Sequence, residues 1–403
     1  MNTLLLSLLY PPESMEEVAR ASKDGLQSQI NSYQWAVVKG IRENLQAGEE
    51  LTLMNALPVG AFPAHYCKPT LPQRKGDNYF ELGSWNLPWL KQWARRRKTV
   101  NFLREWAGKN PENNQVLVYS LYLPYMRAVA KVKKFFPNLK ATVIITDLPN
   151  EMGISSGRRM LLKRLEYAMG KRKIKICTHF DGFVLLTKHM AEVLPIDQKP
   201  RLVIEGLILP RAGVNQETKN PSLQEKSAHP TALYTGTLNR ELGIGELIEA
   251  FRNLPDCRLW LCGKGDMEEA VKKAAAAHSN ITYFGFVSQD EAVALQQQAD
   301  VLINPRSGSH LFTRYSFPSK TLEYMRSGKP TICYPLEGIP EDYAPYLTYI
   351  QRDGGIREAV QSLLAMPAAD RMQLGLSAQA FVEEQKNPTV QCKKLVCFLR
   401  RLL

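Results

Sequence analysis

Short apolar runs alternate with longer amphipathic stretches along most of this chain, and that alternation restricts its fold more than any other feature. The predicted strands are 3–9, 51–57, 115–121, 141–146 and 182–187 in the first half, and 232–238, 258–263, 281–287, 300–305 and 330–335 in the second. The predicted helices between them are 26–46, 88–107, 124–136, 244–253, 266–277, 289–298 and 318–327. Such alternation is typical of parallel α/β architecture. The sequence therefore predicts an α/β chain of two doubly wound, Rossmann-like domains in series.

The length of 403 residues exceeds the usual size of a single core, so two domains are expected. The polar, proline-bearing segment 209–230 shows no periodicity and is predicted to link a domain at 1–208 to a domain at 231–385. Open parallel sheets bind ligands beyond the carboxyl ends of their strands, so two facing sheets predict an interdomain cleft. Residues 386–403 are predicted as a C-terminal helix that crosses back to the first domain, with membrane contact as the alternative.

The net charge of +13 is concentrated in the first half of the chain. Residues 1–200 carry 29 basic and 17 acidic residues, a difference of +12, whereas residues 201–403 carry 23 and 22, a difference of +1. Such asymmetry indicates a nucleic acid, an anionic membrane surface or an acidic substrate as partner. No RNA-binding signature with paired aromatic residues accompanies the basic runs, so no nucleic-acid partner is expected.

The densest basic runs lie at 91–98, 158–164 and 171–175, and apolar residues interleave with the cations in the last two. A basic amphipathic helix over 156–175 would suit the cytoplasmic face of a membrane. The same pattern also fits a solvated helix face above a stripe of core residues, and pattern alone slightly favours this second interpretation.

Other features narrow the compartment and the class of protein. The apolar start at 1–13 has no preceding basic residue and no small-residue cleavage site, so it is predicted as a buried strand rather than a signal peptide. No run of about 18 apolar residues is present, so no membrane span is expected. The seven cysteines include no C-x-x-C pair, which argues against a structural zinc site or a disulfide framework. We therefore expect a reducing, cytoplasmic location.

The segment 317–330, FPSKTLEYMRSGKP, predicts a helix that begins at Pro318 and ends before Gly328. Lys320 places a positive charge in the first turn, where the helix dipole already produces positive potential. Glu323 follows three residues later and shares the face of Lys320. A surface ion pair would explain this spacing, and so would an anionic ligand, since the free N–H groups of a helix N-terminus bind phosphate.

Five further segments accompany this helix in a fixed order: YTGTL, LGIGELIEAF, LWLCGKGD, ITYFGFV and ADVLINP. Together they resemble the donor-binding domain of family-4 retaining glycosyltransferases of the GT-B fold. The first half resembles these enzymes through residues 23–41 and the segment IITDLP at 144–149. Among them, the chain most resembles enzymes that build bacterial capsular and surface polysaccharides. The resemblance implies the GT-B fold and a hexosyltransferase that takes its sugar from a nucleotide-diphosphate donor.

The resemblance also assigns roles to particular residues. It implies that Glu323 accepts hydrogen bonds from the ribose hydroxyls and that main-chain groups of Phe286 and Val287 contact the base. Gly25 corresponds to a loop that approaches the donor phosphates, and Asp147 to a residue near the acceptor hydroxyl, although either residue is also explained as a turn-former. The predicted donor-binding residues are Gly25, Gly236, Thr237, Arg240, Phe286, Val287, Ser316, Phe317, Pro318, Ser319, Lys320 and Glu323, and the predicted catalytic residues are Asp147 and Lys320. Residues 263–266, GKGD, are predicted as a strand-to-helix turn.

Three positions depart from the family pattern. Tyr315 stands where a glutamate commonly contacts the transferred sugar, and Thr237 and Leu242 stand where an arginine and a lysine commonly grip the diphosphate. A charge-assisted contact is worth about 1.5–3 kcal/mol, so other cations are expected to replace the missing two. The candidates are Lys320, Arg240, Arg306 and Arg314. Our hypothesis is that Lys320, supported by Arg240, neutralises the diphosphate.

These features predict a cytoplasmic enzyme, peripheral on the inner face of the plasma membrane, that moves a sugar with retention to a lipid-linked saccharide in surface polysaccharide biosynthesis. The expected partners are a nucleotide sugar, the lipid-linked acceptor and an anionic membrane surface. No cofactor or metal is expected, since no D-x-D sequence is present. Retaining members are thought to use front-face attack with the leaving phosphate as base, so no covalent nucleophile is expected. The main alternative is a catalytically silent partner subunit that binds nucleotide sugar; a nucleotide-sugar epimerase is a weaker one, because its catalytic carboxylates and histidines are not recognisable.

Overall fold

The computed structural model describes residues 1–109, 112–149, 160–208 and 229–403. The chain forms two compact units: the first joins Met1–Leu209 to Pro388–Leu403, and the second comprises Pro210–Asn387. The C-terminal helix is therefore part of the first unit. Of the predicted linker at 209–230, only His229 and Pro230 lie within the described residues.

The first unit is an α/β unit whose elements alternate along the chain. Its strands are β1 Asn2–Ser7, β2 Glu50–Asn55, β3 Thr70–Leu71, β4 Arg74–Gly76, β5 Tyr79–Glu81, β6 Ser84–Trp85, β7 Asn114–Tyr119, β8 Lys140–Ile145, β9 Gly182–Leu185 and β10 Arg201–Val203. Its helices are α1 Met15–Ala21, α2 Ser28–Glu43, α3 Leu90–Lys109, α4 Leu123–Val132, α5 Met160–Ile176 and, at the end of the chain, α12 Pro388–Leu402.

The central sheet of this unit has the strand order β10-β9-β8-β7-β1-β2-β5-β4. Its neighbours pair in parallel, except that β4 and β5 are antiparallel. Every residue of β7 is buried, as expected for a parallel strand that is covered on both faces. This double covering explains why the strands read as continuous apolar runs in the sequence rather than as an alternating pattern.

Helices α2 and α12 pack against each other on one face of this sheet. Leu5 of β1, Leu53 of β2, Ile41 of α2 and Leu395 of α12 belong to one buried cluster, in which each of the four is at most 1% exposed. Gly40 permits the close approach of the two helices, because a Cβ at this position would lie 2.3 Å from the carbonyl oxygen of Pro388.

Helices α3, α4 and α5 lie side by side on the opposite face, where α3 packs on α4 and α4 on α5. The chain crosses the sheet in one direction from β1 to β2, but in the other direction from β5 to β7, β8 and β9. Crossovers between parallel strands are right-handed, so this reversal separates α3, α4 and α5 from α2.

The second unit is also an α/β unit and is smaller than the first. Its strands are β11 Thr231–Thr235, β12 Arg258–Cys262, β13 Ile281–Tyr283, β14 Val301–Asn304, β15 Thr331–Cys333 and β16 Thr348–Tyr349. Its helices are α6 Ile244–Arg252, α7 Glu268–Ala277, α8 Gln289–Gln298, α9 Ser319–Arg326, α10 Ile356–Ala365 and α11 Ala368–Gln385.

The sheet of the second unit is parallel, with the order β13-β12-β11-β14-β15-β16. From β11 the chain moves outward to β12 and β13, and it then returns to β14 and moves outward on the other side. The strand order therefore reverses between β11 and β14, and open α/β sheets bind ligands at such a switch point. The predicted α/β class with two doubly wound, Rossmann-like sheets is confirmed.

The predicted strands of the second unit extend too far at their carboxyl ends. The stretch predicted as a strand over 281–287 ends at Tyr283, because Gly285 has a φ of +75° and begins a turn. Gly263, with a φ of +134°, follows the end of β12 in the same way. Pro318 is the N-cap of α9, not its first helical residue as predicted, and Gly328 has a φ of +75° just beyond the helix.

Several elements were not predicted: α1, β3 to β6, β10, β16, α10 and α11. Each of these strands is only two or three residues long, too short to show a periodic pattern. Of the basic helix predicted over 156–175, residues 156–159 lie outside the described residues. Within the described ranges, no helix combines the length and the apolar character that crossing a bilayer requires.

Candidate functional site

Three connecting segments meet at the carboxyl edge of β11, β12 and β14, next to the switch point of the second unit. They are the turn at 236–243 after β11, the turn at 263–267 after β12, and the loop at 305–318 that leads from β14 into α9. Two backbone hydrogen bonds join the first two turns: Leu238 N–H donates to Lys264 O over 2.9 Å, and Met267 N–H donates to Leu238 O over 2.8 Å.

Glycine is required where these two turns touch. A Cβ on Gly263 would lie 1.7 Å from the carbonyl oxygen of Gly236, and a Cβ on Gly265 would lie 2.3 Å from the carbonyl oxygen of Leu238. The φ of +134° at Gly263 also favours glycine on backbone grounds. Residues 263–266 thus form the strand-to-helix turn that the sequence predicts.

Lys320 and Glu323 form an ion pair within α9, with 2.7 Å between Nζ and Oε2. Their side chains are 27% and 35% exposed, so solvent reaches both charges. The stem of Lys320 lies against the turn after β11, because a Cβ on Gly236 would be 3.6 Å from Lys320 Cε. The structure therefore brings Gly236, Lys320 and Glu323 together at the carboxyl edge.

Gln296 of α8, which is not among the residues predicted from the sequence, binds the other carboxylate oxygen of Glu323. Its Nε2 donates to Glu323 Oε1 over 2.7 Å and to the Thr235 hydroxyl over 3.3 Å. Gln296 is fully buried although the next two residues, Gln297 and Gln298, are also glutamines, so the sequence carries no signal that distinguishes it. Both oxygens of Glu323 thus have a donor, one from a cation and one from an amide.

The N-terminus of α9 is free of side-chain caps. Pro318 is its N-cap and no side chain bonds to the first turn, while Ser319 is exposed and Ser316 is half-buried. The first N–H groups of a helix lack acceptors within the helix and lie at the positive end of its dipole. These groups and Lys320 together place positive potential at the same edge, which suits an anion.

Arg306 lies beside this N-terminus. Its guanidinium donates from Nη2 to the Ser316 hydroxyl and stacks on Phe312, with 4.7 Å between Cζ and the ring centroid. Burial lowers the pKa of Arg306 to about 10, and the nearby Tyr234 hydroxyl acts in the opposite direction. Tyr234 in turn donates from its hydroxyl to Thr237 O over 2.8 Å. Arg306 Nε is buried and has no acceptor within the described part of the chain.

Arg240 and Arg314 differ from Arg306 in their surroundings. Arg314 forms an ion pair with Glu337 and is therefore already neutralised. Arg240 is exposed in the turn after β11, where its backbone N–H donates to Asp266 Oδ1 over 3.0 Å. Its guanidinium makes no hydrogen bond or ion pair with the described residues, so it can reach a ligand but is not fixed in position.

Phe286 and Val287 follow β13 at the same edge of the sheet. Phe286 is 72% exposed, and the ammonium of Lys264 lies 5.3 Å from the centroid of its ring. Val287 packs against the buried cluster that contains Leu233 and Leu302. An exposed aromatic ring beside the site can stack on a planar ligand.

The loop before α9 is held by its aromatic residues. Tyr315 is 9% exposed, and its N–H donates to Phe312 O over 3.2 Å. Phe317 is buried against Tyr343, with 5.4 Å between ring centroids. Tyr315 therefore packs in the loop and supplies no carboxylate in place of the glutamate that the family pattern has.

Asp147 and Gly25 belong to the first unit. Asp147 follows β8, and its Oδ2 accepts a hydrogen bond from the Thr146 hydroxyl over 3.2 Å. Crowding by protein atoms raises the pKa of the Asp147 carboxyl, although part of the residue is exposed, and Thr146 and Lys173 oppose this effect. Gly25 has a φ of +75° and lies in the loop between α1 and α2, after the first strand.

The described residues contain no group of three or more His, Cys, Asp or Glu side chains that could hold a metal ion. Most of the predicted donor-binding residues gather at the carboxyl edge of the second unit, whereas Gly25 and Asp147 lie in the first unit.

Comparison with known proteins gives a family match for part of the chain and a fold for the whole of it. Residues 215–374 match the model of the family "Glycosyl transferases group 1", which includes the turns, α9 and Glu323 described above. Comparison with curated proteins gives no match.

Solved structures resemble the chain over its whole length. Sucrose-phosphate synthase from Thermosynechococcus elongatus is 14% identical, with a TM-score of 0.64, and the match covers 100% of this chain and 98% of that one. Trehalose 6-phosphate synthase from Burkholderia multivorans is 11% identical, with a TM-score of 0.62 and coverage of 100% and 98%. The lipopolysaccharide outer core galactosyltransferase WaaB is 13% identical, with a TM-score of 0.59 and coverage of 100% of both chains.

These identities are low, so the structural matches establish the fold alone, and the family model matches only residues 215–374. The chain therefore has the GT-B fold, and its residues 215–374 match the group 1 glycosyltransferase family.

Proposed function

We propose that the chain transfers a sugar, with retention of configuration, from a nucleotide-diphosphate sugar to a lipid-linked saccharide in surface polysaccharide biosynthesis. The observation that carries this proposal is the Lys320–Glu323 pair at the N-terminus of α9, next to Gly236. A cation, a carboxylate and free helix N–H groups then lie at one edge of the sheet. A diphosphate linked to a ribose has the complementary groups: its phosphate oxygens suit the cation and the helix N–H groups, and its ribose hydroxyls suit the carboxylate.

The donor diphosphate binds at the N-terminus of α9, with Lys320 as its counter-charge. The phosphate oxygens compete with Glu323 Oε2 for the ammonium, which now lies 2.7 Å from that carboxylate oxygen. Once Lys320 turns to the phosphate, Glu323 is free to accept hydrogen bonds from the two ribose hydroxyls. Gln296 keeps the carboxylate in place by its bond to Oε1. Donor binding thus exchanges one internal ion pair for contacts to two parts of the ligand.

Arg306 and Arg240 supply the additional positive charge that the leaving diphosphate requires. Arg306 is fixed by Ser316 and Phe312 and has an unpaired Nε, whereas Arg240 is exposed and approaches from the turn after β11. When the bond between the anomeric carbon and the phosphate oxygen breaks, negative charge grows on the diphosphate. Cations held in place before the reaction stabilise that charge most effectively.

The remaining predicted residues complete the donor and acceptor sites. Phe286 and Val287 contact the base, and Asp147 of the first unit contacts the acceptor hydroxyl. In the front-face reaction, the acceptor oxygen bonds to the anomeric carbon on the side that the phosphate leaves. The acceptor proton passes to the departing phosphate oxygen, so no metal and no covalent enzyme intermediate are needed.

Two observations support a lipid-linked acceptor. One is the fold likeness to a galactosyltransferase of the lipopolysaccharide outer core. The other is the basic first half of the chain, with a charge excess of +12 over residues 1–200. An anionic membrane surface and an acceptor that carries phosphate would both be attracted by that charge. The proposal places the enzyme in the cytoplasm, on the inner face of the plasma membrane.

A thermal-shift screen of nucleotide sugars, followed by a transfer assay, tests this proposal. A bound donor raises the melting temperature because it binds only the folded chain. We expect one nucleotide sugar to raise the melting temperature and to yield nucleoside diphosphate when a saccharide-lipid acceptor is added. Stable binding without hydrolysis or transfer would favour the alternative of a silent partner subunit, which Tyr315, Thr237 and Leu242 motivate. No shift with any nucleotide sugar would contradict both.

A further inference from the structure

Three tryptophans are exposed in the first unit, at the end of β6, just before α3 and in the first turn of α3. Trp85, Trp89 and Trp93 are 57%, 83% and 56% exposed, and Leu90 between them is 39% exposed. They are three of the six tryptophans in the chain. Large apolar side chains that are exposed together mark a surface that contacts another molecule or a membrane.

The backbone at this position is also unusual. Trp89 has a φ of +63°, a conformation that bulky residues rarely adopt. The chain enters α3 directly after it, with Trp93 N–H donating to Trp89 O over 3.0 Å. Backbone strain of this kind is typically kept where it places a side chain for a function. Here it accompanies the most exposed tryptophan of the three.

A groove lined by cations lies farther along the same helix. It has a volume of about 490 Å³ and is lined by Arg96, Arg127, Ala130, Lys131, Lys134, Phe135, Ile176 and His179. None of these described lining residues is acidic. Arg96, Arg127, Lys131 and Lys134 make no ion pair with the described residues, and Phe135 is 61% exposed at the rim. The groove thus combines an apolar wall with unpaired positive charge.

The tryptophans and the groove belong to one face of the first unit. Trp93 and Arg96 are three residues apart on α3 and so are neighbours on its surface. The guanidinium of Arg97 lies 5.4 Å from the centroid of the Trp93 ring. Because α4 packs beside α3, its cations Arg127 and Lys131 continue the same basic surface. We call this the α3–α4 face, defined by Trp85, Trp89, Leu90, Trp93, Arg96, Arg97, Arg127, Lys131, Lys134 and Phe135.

We propose that the α3–α4 face docks the first unit on an anionic lipid bilayer. Tryptophan favours the interface between headgroups and acyl chains, because its ring is apolar and its N–H can hydrogen-bond. The groove cations attract anionic headgroups, and unpaired cations suit that role since no internal pair must be broken first. The inference deepens, and rests on, the proposed function, which requires a lipid-linked acceptor.

The position of the tryptophans fits this role. Helix α3 runs from the carboxyl end of β5 back to the amino end of β7, so its first turn lies near the carboxyl edge of the sheet. Asp147 follows β8 at the carboxyl edge of the same sheet. A bilayer that holds Trp89 and Trp93 is therefore close to the edge where the acceptor saccharide is expected.

Vesicle flotation with the full chain tests the proposal. Vesicles containing about one third phosphatidylglycerol should carry the protein upward, whereas phosphatidylcholine vesicles should not. Each cation near an anionic surface contributes about 1 kcal/mol, or roughly fivefold in partitioning. Arg96→Glu with Lys131→Glu should therefore reduce partitioning by about 25-fold or more. The matched control is Lys393→Glu with Lys394→Glu, which makes the same charge change on exposed residues of α12 on the opposite face.

A second measurement reports on the tryptophans themselves. Vesicles with brominated acyl chains should quench the tryptophan emission of the parent chain, and the Trp85→Phe, Trp89→Phe, Trp93→Phe variant should lose this quenching. Melting temperature and donor binding should stay unchanged in each variant, which verifies folding.

The possible results separate this proposal from the proposed function. Equal binding to both vesicle types, or a greater loss from the α12 pair than from the α3–α4 pair, would overturn the proposed face. Binding to single-stranded RNA without flotation would mean that the α3–α4 face binds a nucleic acid and not a bilayer, which would overturn the proposal. Donor binding without flotation would contradict only the docking surface, whereas flotation without donor binding would contradict only the transferase.

Discussion

Lys320 Nζ lies 2.7 Å from Glu323 Oε2, and Gln296 Nε2 lies 2.7 Å from the other oxygen of the same carboxylate. The positive charge that looks unfavourable in the first turn of α9 is thus balanced within the helix. The balance is reversible, because both side chains are solvent-accessible and a surface ion pair contributes only about 1 kcal/mol or less. An incoming diphosphate can therefore displace Glu323 from Lys320 at little cost.

Replacing Lys320 by alanine removes the proposed counter-charge of the diphosphate. Since a charge-assisted hydrogen bond is worth about 1.5–3 kcal/mol, donor affinity or turnover should fall by roughly 10- to 150-fold. Calorimetric titration with the donor and steady-state kinetics would measure both. Lys273→Ala on the exposed surface of α7 is the control and should change neither. A donor affinity and a turnover of Lys320→Ala within about twofold of the parent would show that another cation neutralises the diphosphate.

Replacing Gln296 by leucine separates the position of the carboxylate from its charge. The side chain is fully buried and its volume is nearly kept, but Glu323 Oε1 loses its amide donor. The loss of a hydrogen bond to a charged group predicts a donor affinity about tenfold lower. The nucleoside, which contains the ribose, should show the same loss as the whole nucleotide sugar. A loss seen only with the diphosphate part would mean that Gln296 does not act through Glu323.

The sequence was sufficient for the α/β class and for the placement of Lys320 and Glu323 on one face of α9, because both follow from local patterns. The helix with Lys320 and Glu323 has a proline at its start and a glycine at its end, and its i,i+3 spacing shows on one turn. Gln296 could not be found, since its partner is 27 residues away and depends on how α8 packs beside α9. The exposure of Trp89 was equally hidden, because it depends on tertiary packing and on a left-handed backbone.

The ion pair between Glu49 and Arg400 should make the stability of the first unit depend on pH. Arg400 donates to both carboxylate oxygens, over 2.5 and 3.0 Å, and lowers the pKa of Glu49 to about 2 from its ordinary value of 4.5. A carboxylate with a lowered folded-state pKa stabilises the fold above the unfolded value and loses that contribution as pH falls. The melting temperature of Glu49→Gln should therefore lie below that of the parent at pH 7.

The difference between Glu49→Gln and the parent should shrink between pH 4.5 and about 2, where both become uncharged. Thermal unfolding across this range measures it, with Glu50→Gln at an exposed neighbouring position as the control. A difference independent of pH would mean that the carboxylate contributes by shape and hydrogen bonding rather than by charge.

Replacing Asp147 by asparagine should lower the turnover of sugar transfer without lowering the affinity for the donor. Desolvation by the surrounding protein atoms raises the pKa of the Asp147 carboxyl. Its ionised form is therefore less favourable in the folded chain than in the unfolded one. The sign of this shift means that the carboxylate destabilises the fold at neutral pH, and asparagine should raise the melting temperature slightly at pH 7. A fall in turnover at constant donor affinity, with a gain in stability, is expected of a residue kept for function. Parent-like turnover would leave Asp147 as a turn residue.

Replacing Gly263 by alanine should disrupt the contact between the turns after β11 and β12, which lies beside Lys320. The added Cβ would lie 1.7 Å from Gly236 O, a backbone atom that cannot rotate away, and the φ of +134° adds strain. Such overpacking and strain cost about 3 kcal/mol or more, which predicts a melting temperature lower by roughly 6–12 °C for a unit of this size. Gly285→Ala is the control, since its Cβ meets nothing within 4 Å and its φ of +75° alone costs about 1–2 kcal/mol. Because Gly236 lies against Lys320, Gly263→Ala should also weaken donor binding more than Gly285→Ala does, and equal effects of the two substitutions would contradict the contact between the turns.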